Sequence, residues 1–418
     1  MSDSTLDAAI VGGGLAGGLI ALALHQARPE FRIALIEGGS VIGGNHRWSW
    51  FESDLSSEGK ALLEPFRRTV WEEGYDVRFP KLRRTLQTGY HSMASSDFHE
   101  GLMRLLPDGA IMLGKRAASL DGRGVDLEDG KRLDARMVVD CRNFQPSEHL
   151  RGGWQVFMGR HMRLEEPHQV SRPVIMDGDV DQLAPYGNGG AYRFVYVLPL
   201  GAHDVFVEDT YYADDAKLDR GALSGRIDQY CHAQGWSNGV PVSHEAGLLP
   251  VLTGGDFAAY QAEIRIPGVS VVGARGGFTH PLTSYTFPIA VDNALAMARE
   301  ADLSGAQMAA LFEARARKHW RKTAYYRMLN RMLFFAADPH KRVNVLQRFY
   351  GLSQNLIERF YAARSPLRDQ ARVLWGKPPV SIPRAIKAIF MRGAPLKAER
   401  SGNVSAPAET TLKTEKTA

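Results

Sequence analysis

Two groups of residues in this chain have types and spacings that could do chemistry. The first is Gly12, Gly14 and Gly17, in the order G-x-G-x-x-G, followed by Glu37. At this spacing the first glycine permits a tight turn, the second lets backbone approach a pyrophosphate, and the third lets a helix pack close to a strand. Leu15 and Ala16 would open that helix, whose first N–H groups and positive dipole end favour phosphate oxygens. Glu37 stands at the offset of a carboxylate that binds ribose hydroxyls. The second group is Glu208-Asp209, set in an apolar, β-branched run. Neighbouring strand residues face opposite ways, so Glu208 shares a face with Phe206 while Asp209 shares one with Val207. A carboxyl buried on such a face keeps its proton and can act as an acid. Two exposed strand-end acids would carry the same local pattern.

Each group needs elements to hold it. Ala8 to Val11 reads as a strand, Leu15 to His25 as a helix, and Phe31 to Ile36 as a strand ending on Glu37. In that register the glycines form a dinucleotide-binding fingerprint. Gly38-Gly39 and Gly43-Gly44 would let the chain wrap close to the adenosine end of a cofactor. Val269 to Val272 is a returning strand that ends in Gly273-Ala274-Arg275-Gly276-Gly277, before a helix from about Pro288 to Glu300. Strand, glycines and helix make a second phosphate or flavin approach, and the two clusters together point to FAD. Asp97 to Leu106 reads as an amphipathic helix, and Ala135 to Val139 as a strand leading to Asp140. Arg193 to Leu200 and Asp204 to Thr210 alternate as strands, and Gly201-Ala202-His203 joins them as a hairpin.

The expected fold class is α/β, α+β overall. A Rossmann-like FAD-binding domain covers 1–150 and is completed by about 268–302. A β-rich substrate domain covers 151–267, a helical basic region expected to contact a membrane covers 303–392, and a disordered tail covers 393–418. A length of 418 residues fits two domains. The two cysteines, Cys141 and Cys231, form no metal-type spacing and suggest a reducing compartment. No metal site is expected. The uncharged run Ala8 to Leu24 follows Asp3 and Asp7 and is interrupted by glycines, so it reads as fingerprint rather than signal peptide or membrane span.

Net charge is +5, and the excess is local. Between Arg315 and Arg348 ten Lys/Arg stand against one acid, Asp338, with Trp320, Tyr325, Tyr326, Phe334 and Phe335 among them. A packed basic helix, a nucleic-acid surface and an anionic membrane surface all fit this composition. Phe334-Phe335 beside basic side chains favours the membrane, and no nucleic acid is expected. Arg384 to Arg392 is a further short basic amphipathic stretch.

Several blocks, in order along the chain, are similar to those of one family. They are the fingerprint with Glu37, Gly43-Gly44-Asn45-His46-Arg47-Trp48-Ser49-Trp50, Val207-Glu208-Asp209-Thr210, Gly276 to Tyr285, Arg348-Phe349-Tyr350, and Gly376-Lys377-Pro378-Pro379. The chain resembles the bacterial lycopene cyclases of the carotenoid pathway, the lycopene β-cyclase group. One position departs from the family pattern. Ser284 stands where a glycine is common, a place where positive φ would favour glycine.

The resemblance implies a flavin-dependent reaction with no net redox change, using reduced FAD with NAD(P)H as reductant. The ψ ends of lycopene, or of related carotenoids, would be protonated and closed to β-rings, through γ-carotene to β-carotene. It implies Glu208 as the acid, with Asp209 and His280 as further catalytic candidates. Cofactor contacts would come from Gly44, His46, Arg47, Gly273, Gly276, Gly277, Pro281, Thr283 and Ser284. Trp48, Trp50, Tyr285 and Phe287 would offer aromatic faces to a cationic intermediate, or simply pack. His46 and His280 would accept protons, orient the flavin, or serve as structural hydrogen-bonders. A hydrocarbon substrate places the enzyme peripherally on the cytoplasmic face of a membrane. The competing reading is a redox flavoenzyme on an isoprenoid lipid, a prenyl reductase or monooxygenase.

Overall fold

The computed structural model describes residues 5–182, 192–376 and 380–396. The strand Leu6–Val11 lies between Ile33–Ile36 and Arg132–Asp140, parallel to both. Ile111–Met112 and Val269–Val271 extend this parallel arrangement. Parallel strands covered on both faces must be apolar throughout, as the buried runs Ala8–Val11 and Ile33–Ile36 are. The helix Leu15–Ala27 is buried from Leu19 to Leu24 and packs against the helix Phe287–Arg299. Burying each such Leu or Ile contributes about 1.5–3 kcal/mol. The turns at Asp121-Gly122 and Asp129-Gly130 join an antiparallel meander to the same sheet.

A second sheet also has seven strands, and a third, of three, pairs Arg47–Phe51 and Thr69–Trp71 with Tyr90–Ala94. The order of the second sheet is Val240–Gly255, Leu150–Arg163, Asp204–Ala213, Arg193–Pro199, Val174–Asp177, Tyr75–Phe79 and Leu82–Leu86. The expected hairpin closes as read, with Leu200 N–H bonded to Asp204 O at 2.8 Å. The last two strands correct the expected domain plan. They come from the first third of the chain, so a division at residue 150 does not separate the two sheets. The alternating pattern of Tyr75–Phe79 marks a strand but not the sheet it joins.

One face of the second sheet carries Val205, Val207, Asp209 and Tyr211 and is covered by the helix Arg220–Ala233. The other carries Phe194, Leu198, Phe206 and Tyr212, which join a core with Tyr75, Tyr90, Tyr326, Phe349 and Phe360. The C-terminal helices supply much of that second cover. Phe349 and Phe360 sit on two helices, Arg342–Tyr350 and Gln354–Tyr361, broken around Gly351.

The start of the expected tail is ordered against the sheet. Gly152 N–H donates to Ala394 O at 3.0 Å, Leu396 N–H donates to Leu150 O at 2.9 Å, and Leu396 is buried. Residues 397–418, and Lys377-Pro378-Pro379 of the C-terminal block, lie outside the described residues. Among the described residues no helix is long and apolar enough to cross a membrane, and no cluster of side chains could hold a metal ion.

Candidate functional site

The three fingerprint glycines have distinct surroundings. Gly12 has φ +102°, and a Cβ on it would lie 2.6 Å from Cys141 O. A Cβ on Gly17 would lie 2.0 Å from Gly12 O, so helix and turn touch through it. A Cβ on Gly14 would meet nothing within 4 Å. Gly14 also caps the helix without any side-chain bond, and the first turn holds no acid. Open space, unbonded N–H groups and a positive helix end fit a pyrophosphate. Glu37 accepts from Gly13 N and Gly39 N, both at 2.7 Å, which ties the loop to the end of the second strand. Gly273, at φ +68°, brings the second glycine cluster to 3.2 Å from the Ala16 side chain by the same Cβ measure. Nearby, Asp140 is fully buried and pairs with Arg142 at 2.8 Å and Arg275 at 3.2 Å. The residues expected to hold the pyrophosphate therefore converge.

The segment from Gly43 to Trp50 runs from this loop to the second sheet. Gly43 N–H donates to Gly13 O at 2.8 Å, and both Gly43 and Gly44 have positive φ. Gly44 and His46 keep exposed surface, yet enough protein surrounds the His46 ring for burial to lower its pKa. That combination describes a residue on the wall of a cleft. Asn45 donates to His244 O, and Arg47 N–H donates to Glu245 Oε2 at 2.6 Å. Arg47 is thus drawn toward the second sheet, where its guanidinium sits 5.8 Å from the Phe206 ring.

Glu208 stands opposite Tyr196 on one side and Gly159 on the other. Directly opposed residues share a face, so Glu208 points to the tyrosine-rich side. It retains some accessible surface while being enclosed by protein, as a group bordering an internal space would. Burial raises its pKa to about 6, against the pull of a hydrogen bond from Thr210 at 2.7 Å. Tyr196 and Tyr90 are hydroxyl-bonded to each other nearby. The hydroxyls of Tyr75 and Tyr192 are buried with no hydrogen-bond partner. The Glu208 face therefore combines an acid with buried aromatic rings.

Other expected site residues are placed differently. Asp209 lies on the opposite face, fully buried, bonded to Arg193 Nε at 2.7 Å and Arg226 Nε at 3.0 Å. A carboxylate held between two guanidiniums is a counter-ion, which corrects its assignment as a catalytic acid. His280 is fully buried, and burial lowers its pKa to about 3. Its ring is therefore neutral, bonded to Phe360 O at 3.1 Å and accepting from Leu282 N–H at 3.3 Å. Both nitrogens are engaged, so His280 braces the loop instead of moving protons.

Trp50 is sandwiched between His91 and Phe287, with centroids 5.1 Å and 4.2 Å away, and Phe287 is buried in that stack. Trp48 packs edge-on against Phe98 at 5.3 Å. Of the four expected aromatics, Tyr285 reaches the Glu208 side, where Tyr90 and Tyr196 act on it. Its hydroxyl donates to buried Asp54 at 2.5 Å, and burial raises Asp54 to about 6.

The loop before the helix Phe287–Arg299 is fastened to the Glu245 strand. Pro281 O accepts from Leu252 N–H at 2.8 Å and from Asn330 at 2.8 Å, and Ser284 Oγ donates to Pro250 O. Thr283 accepts from Tyr285 N–H at 3.4 Å. Ser284 has φ 53°, the left-handed region that the glycine pattern implied, and its hydroxyl bond offsets the strain. Gly276 and Gly277 form the turns after Val272, with Gly276 N–H bonded to Gly273 O at 3.1 Å.

Glu245, Tyr90, Tyr196 and Asp54 were not marked by any local motif. Glu245 is an acid in a run of mixed character, and only strand pairing brings it beside Glu208. An open cavity of about 510 Å³, lined by Arg78, His168 and Trp236 among others, contains none of these residues.

A glycine loop at a helix start, a second glycine cluster against it and an enclosed acid on another sheet define a class: enzymes built around a dinucleotide-type cofactor. Solved structures share this fold. A geranylgeranyl bacteriochlorophyll reductase-like protein from Thermoplasma acidophilum matches with a TM-score of 0.55 at 15% identity, covering 92% of this chain and 98% of that one. A flavin-dependent halogenase from Xanthomonas campestris matches at 0.53 and 12% identity, covering 92% and 94%. The family is given by sequence. Residues 7–387 match the family described as lycopene cyclase protein, and the chain belongs to it. It is 41% identical over 382 residues to the lycopene beta-cyclase of Pseudescherichia vulneris, covering 91% of this chain and 96% of that one. It is 39% identical to that of Pantoea ananas, covering 92% and 98%.

Proposed function

We propose that the chain binds FAD and converts the ψ ends of lycopene to β-rings, through γ-carotene to β-carotene, with Glu208 as the acid. The observation that carries this is Glu208 itself: a carboxyl whose pKa burial raises to about 6, on an aromatic face joined to the fingerprint loop by residues 43–50. Glu208 donates a proton to the terminal double bond, whose π pair forms the new C–H bond. The tertiary cation is attacked by the neighbouring double bond, closing a six-membered ring. Loss of a ring proton forms the ring double bond, so atoms and electrons balance without an oxidant. The rings of Tyr196, Tyr90 and Tyr285 face the cation and keep water away.

Gly12, Gly14, Gly17 and Glu37 would hold the cofactor's pyrophosphate and ribose, with Gly44, His46 and Gly273 lining the same cleft. Reduced FAD, with NAD(P)H as reductant, would supply negative charge to stabilise a cationic intermediate. Substrate is drawn from a membrane to which the protein binds peripherally on its cytoplasmic face. The aromatic residues of the basic segment 315–348 pack inward in part: Tyr326 is buried, and Trp320 lies between Phe257 and the Arg327 guanidinium. Exposed apolar side chains come later, at Leu367, Trp375, Ile382, Ile386 and Phe390, beside Arg368, Arg384 and Lys387. Apolar side chains flanked by cations suit an anionic leaflet.

Expression in a lycopene-accumulating host tests the activity. Chromatography should show lycopene replaced by β-carotene; unchanged lycopene beside folded, flavin-loaded protein contradicts it.

A further inference from the structure

Glu245 has no part in the reaction as described so far. It lies on the strand Val240–Gly255, and Gly159 of the intervening strand is the register partner of both Glu245 and Glu208. The three residues form one row on one face. Neighbouring strands are about 4.8 Å apart, so the two glutamate backbones are separated by about 10 Å. Two glutamate side chains can close that gap only if nothing rises between them. Gly159 yields its space to neighbouring side chains, Glu245 among them: a Cβ there would lie 2.2 Å from Phe206 Cζ and 3.1 Å from Glu245 Cγ.

The shared row brings the two carboxyls within reach of each other, and each acts on the other's protonation. A bond between carboxyls needs a proton on one of them, and two ionised carboxylates at such range repel. Their remaining contacts fit a single shared proton. Thr210 donates to Glu208 Oε1 at 2.7 Å, and the Arg47 N–H donates to Glu245 Oε2 at 2.6 Å. The other titratable groups acting on the pair are Asp209 and Tyr196 at Glu208 and the Arg47 guanidinium at Glu245. Burial, and then the charge of Glu208, holds Glu245 well above the usual carboxylate range.

We propose that Glu245 is the proton partner of Glu208, and that the proton delivered to the alkene is one the two carboxyls share. This rests on the cyclase reading. As the C–H bond forms, the O–H bond of the pair breaks and leaves two carboxylates facing the cation. The pair regains one proton when the ring loses its own. Glu245 acts through Glu208 and is a positioning residue in this scheme.

The test compares flavin-loaded wild type with Glu245→Gln and Glu245→Asp. Infrared spectroscopy without substrate reads the C=O stretch of a protonated carboxyl near neutral pH, and the rate of cyclisation is followed from about pH 5 to about pH 9. Glu245→Gln leaves Glu208 a lone carboxylate with an amide donor. It should lose the protonated-carboxyl band, slow cyclisation at least about tenfold, and move the alkaline limb about one unit lower. Glu245→Asp, which keeps a carboxyl, should restore the limb. An active Glu245→Gln enzyme with an unchanged band and limb overturns the pair while leaving the cyclase reading intact. Wild type that forms no β-rings, with the band still lost in Glu245→Gln, removes the cyclase reading instead.

Discussion

Glu208 and Asp209 are sequence neighbours with opposite fates. Alternation alone separated them: one faces tyrosines, the other faces Arg193 and Arg226. Which face was the working one depended on the helix Arg220–Ala233 and its Arg226, some distance along the chain, so Asp209 could not be set aside from sequence. Asp209→Asn should leave two buried guanidiniums without their carboxylate. The expected loss is about 3–5 kcal/mol, read as a lower urea midpoint. Glu208→Gln should keep bound flavin and fold but lose cyclisation by at least about 10²-fold. Its stability should also differ with pH. Glu208 binds its proton more tightly folded than unfolded, so its contribution is full below the ordinary glutamate range and lost as pH rises through about 6. The melting temperature of Glu208→Gln relative to wild type should therefore rise between about pH 5 and about pH 8, and a pH-independent difference would count against a raised pKa.

At the scale of elements, the fingerprint strand, turn and helix were legible because their signals are local: an apolar run, glycine spacing and a terminal acid. The structure adds which glycine faces protein and which faces space. Gly17→Ala should destabilise the fold, since its Cβ would lie 2.0 Å from Gly12 O. Gly14→Val should fold, because its site is open and its φ of −71° suits any residue. It should nevertheless purify with little flavin, which absorbance against protein content measures. The hairpin around Gly201 was legible for the same reason. The strands Tyr75–Phe79 and Leu82–Leu86 were not assigned to their sheet, because pairing partners nearly a hundred residues away leave no local trace. Glu245 escaped notice on the same ground. Its significance comes from lying one strand beyond Gly159.

For the whole molecule, the sequence conveyed the family and a helical basic region at 303–392, and within that region the large exposed apolar side chains lie at 367–391. Within 315–348, Tyr326 and Arg327 are buried, and cation–π and stacking contacts partly cover Trp320 and Phe334, while Arg317, Lys318, Arg321, Lys322 and Lys341 stay exposed. Trp375 and Phe390, 76% and 80% exposed, are the better anchors. Replacing Trp375, Ile386 and Phe390 by serine should abolish flotation with anionic liposomes and leave thermal stability unchanged; undiminished flotation would remove this surface from the account. The central claim is that ring closure begins with a proton from an enzyme carboxyl, which exchanges with solvent. Purified, flavin-loaded enzyme acting on lycopene in deuterated water tests it most directly by mass spectrometry of the product. The account predicts one deuterium per ring formed and no product from Glu208→Gln. Rings without solvent deuterium, or ring formation by Glu208→Gln at the wild-type rate, would contradict it.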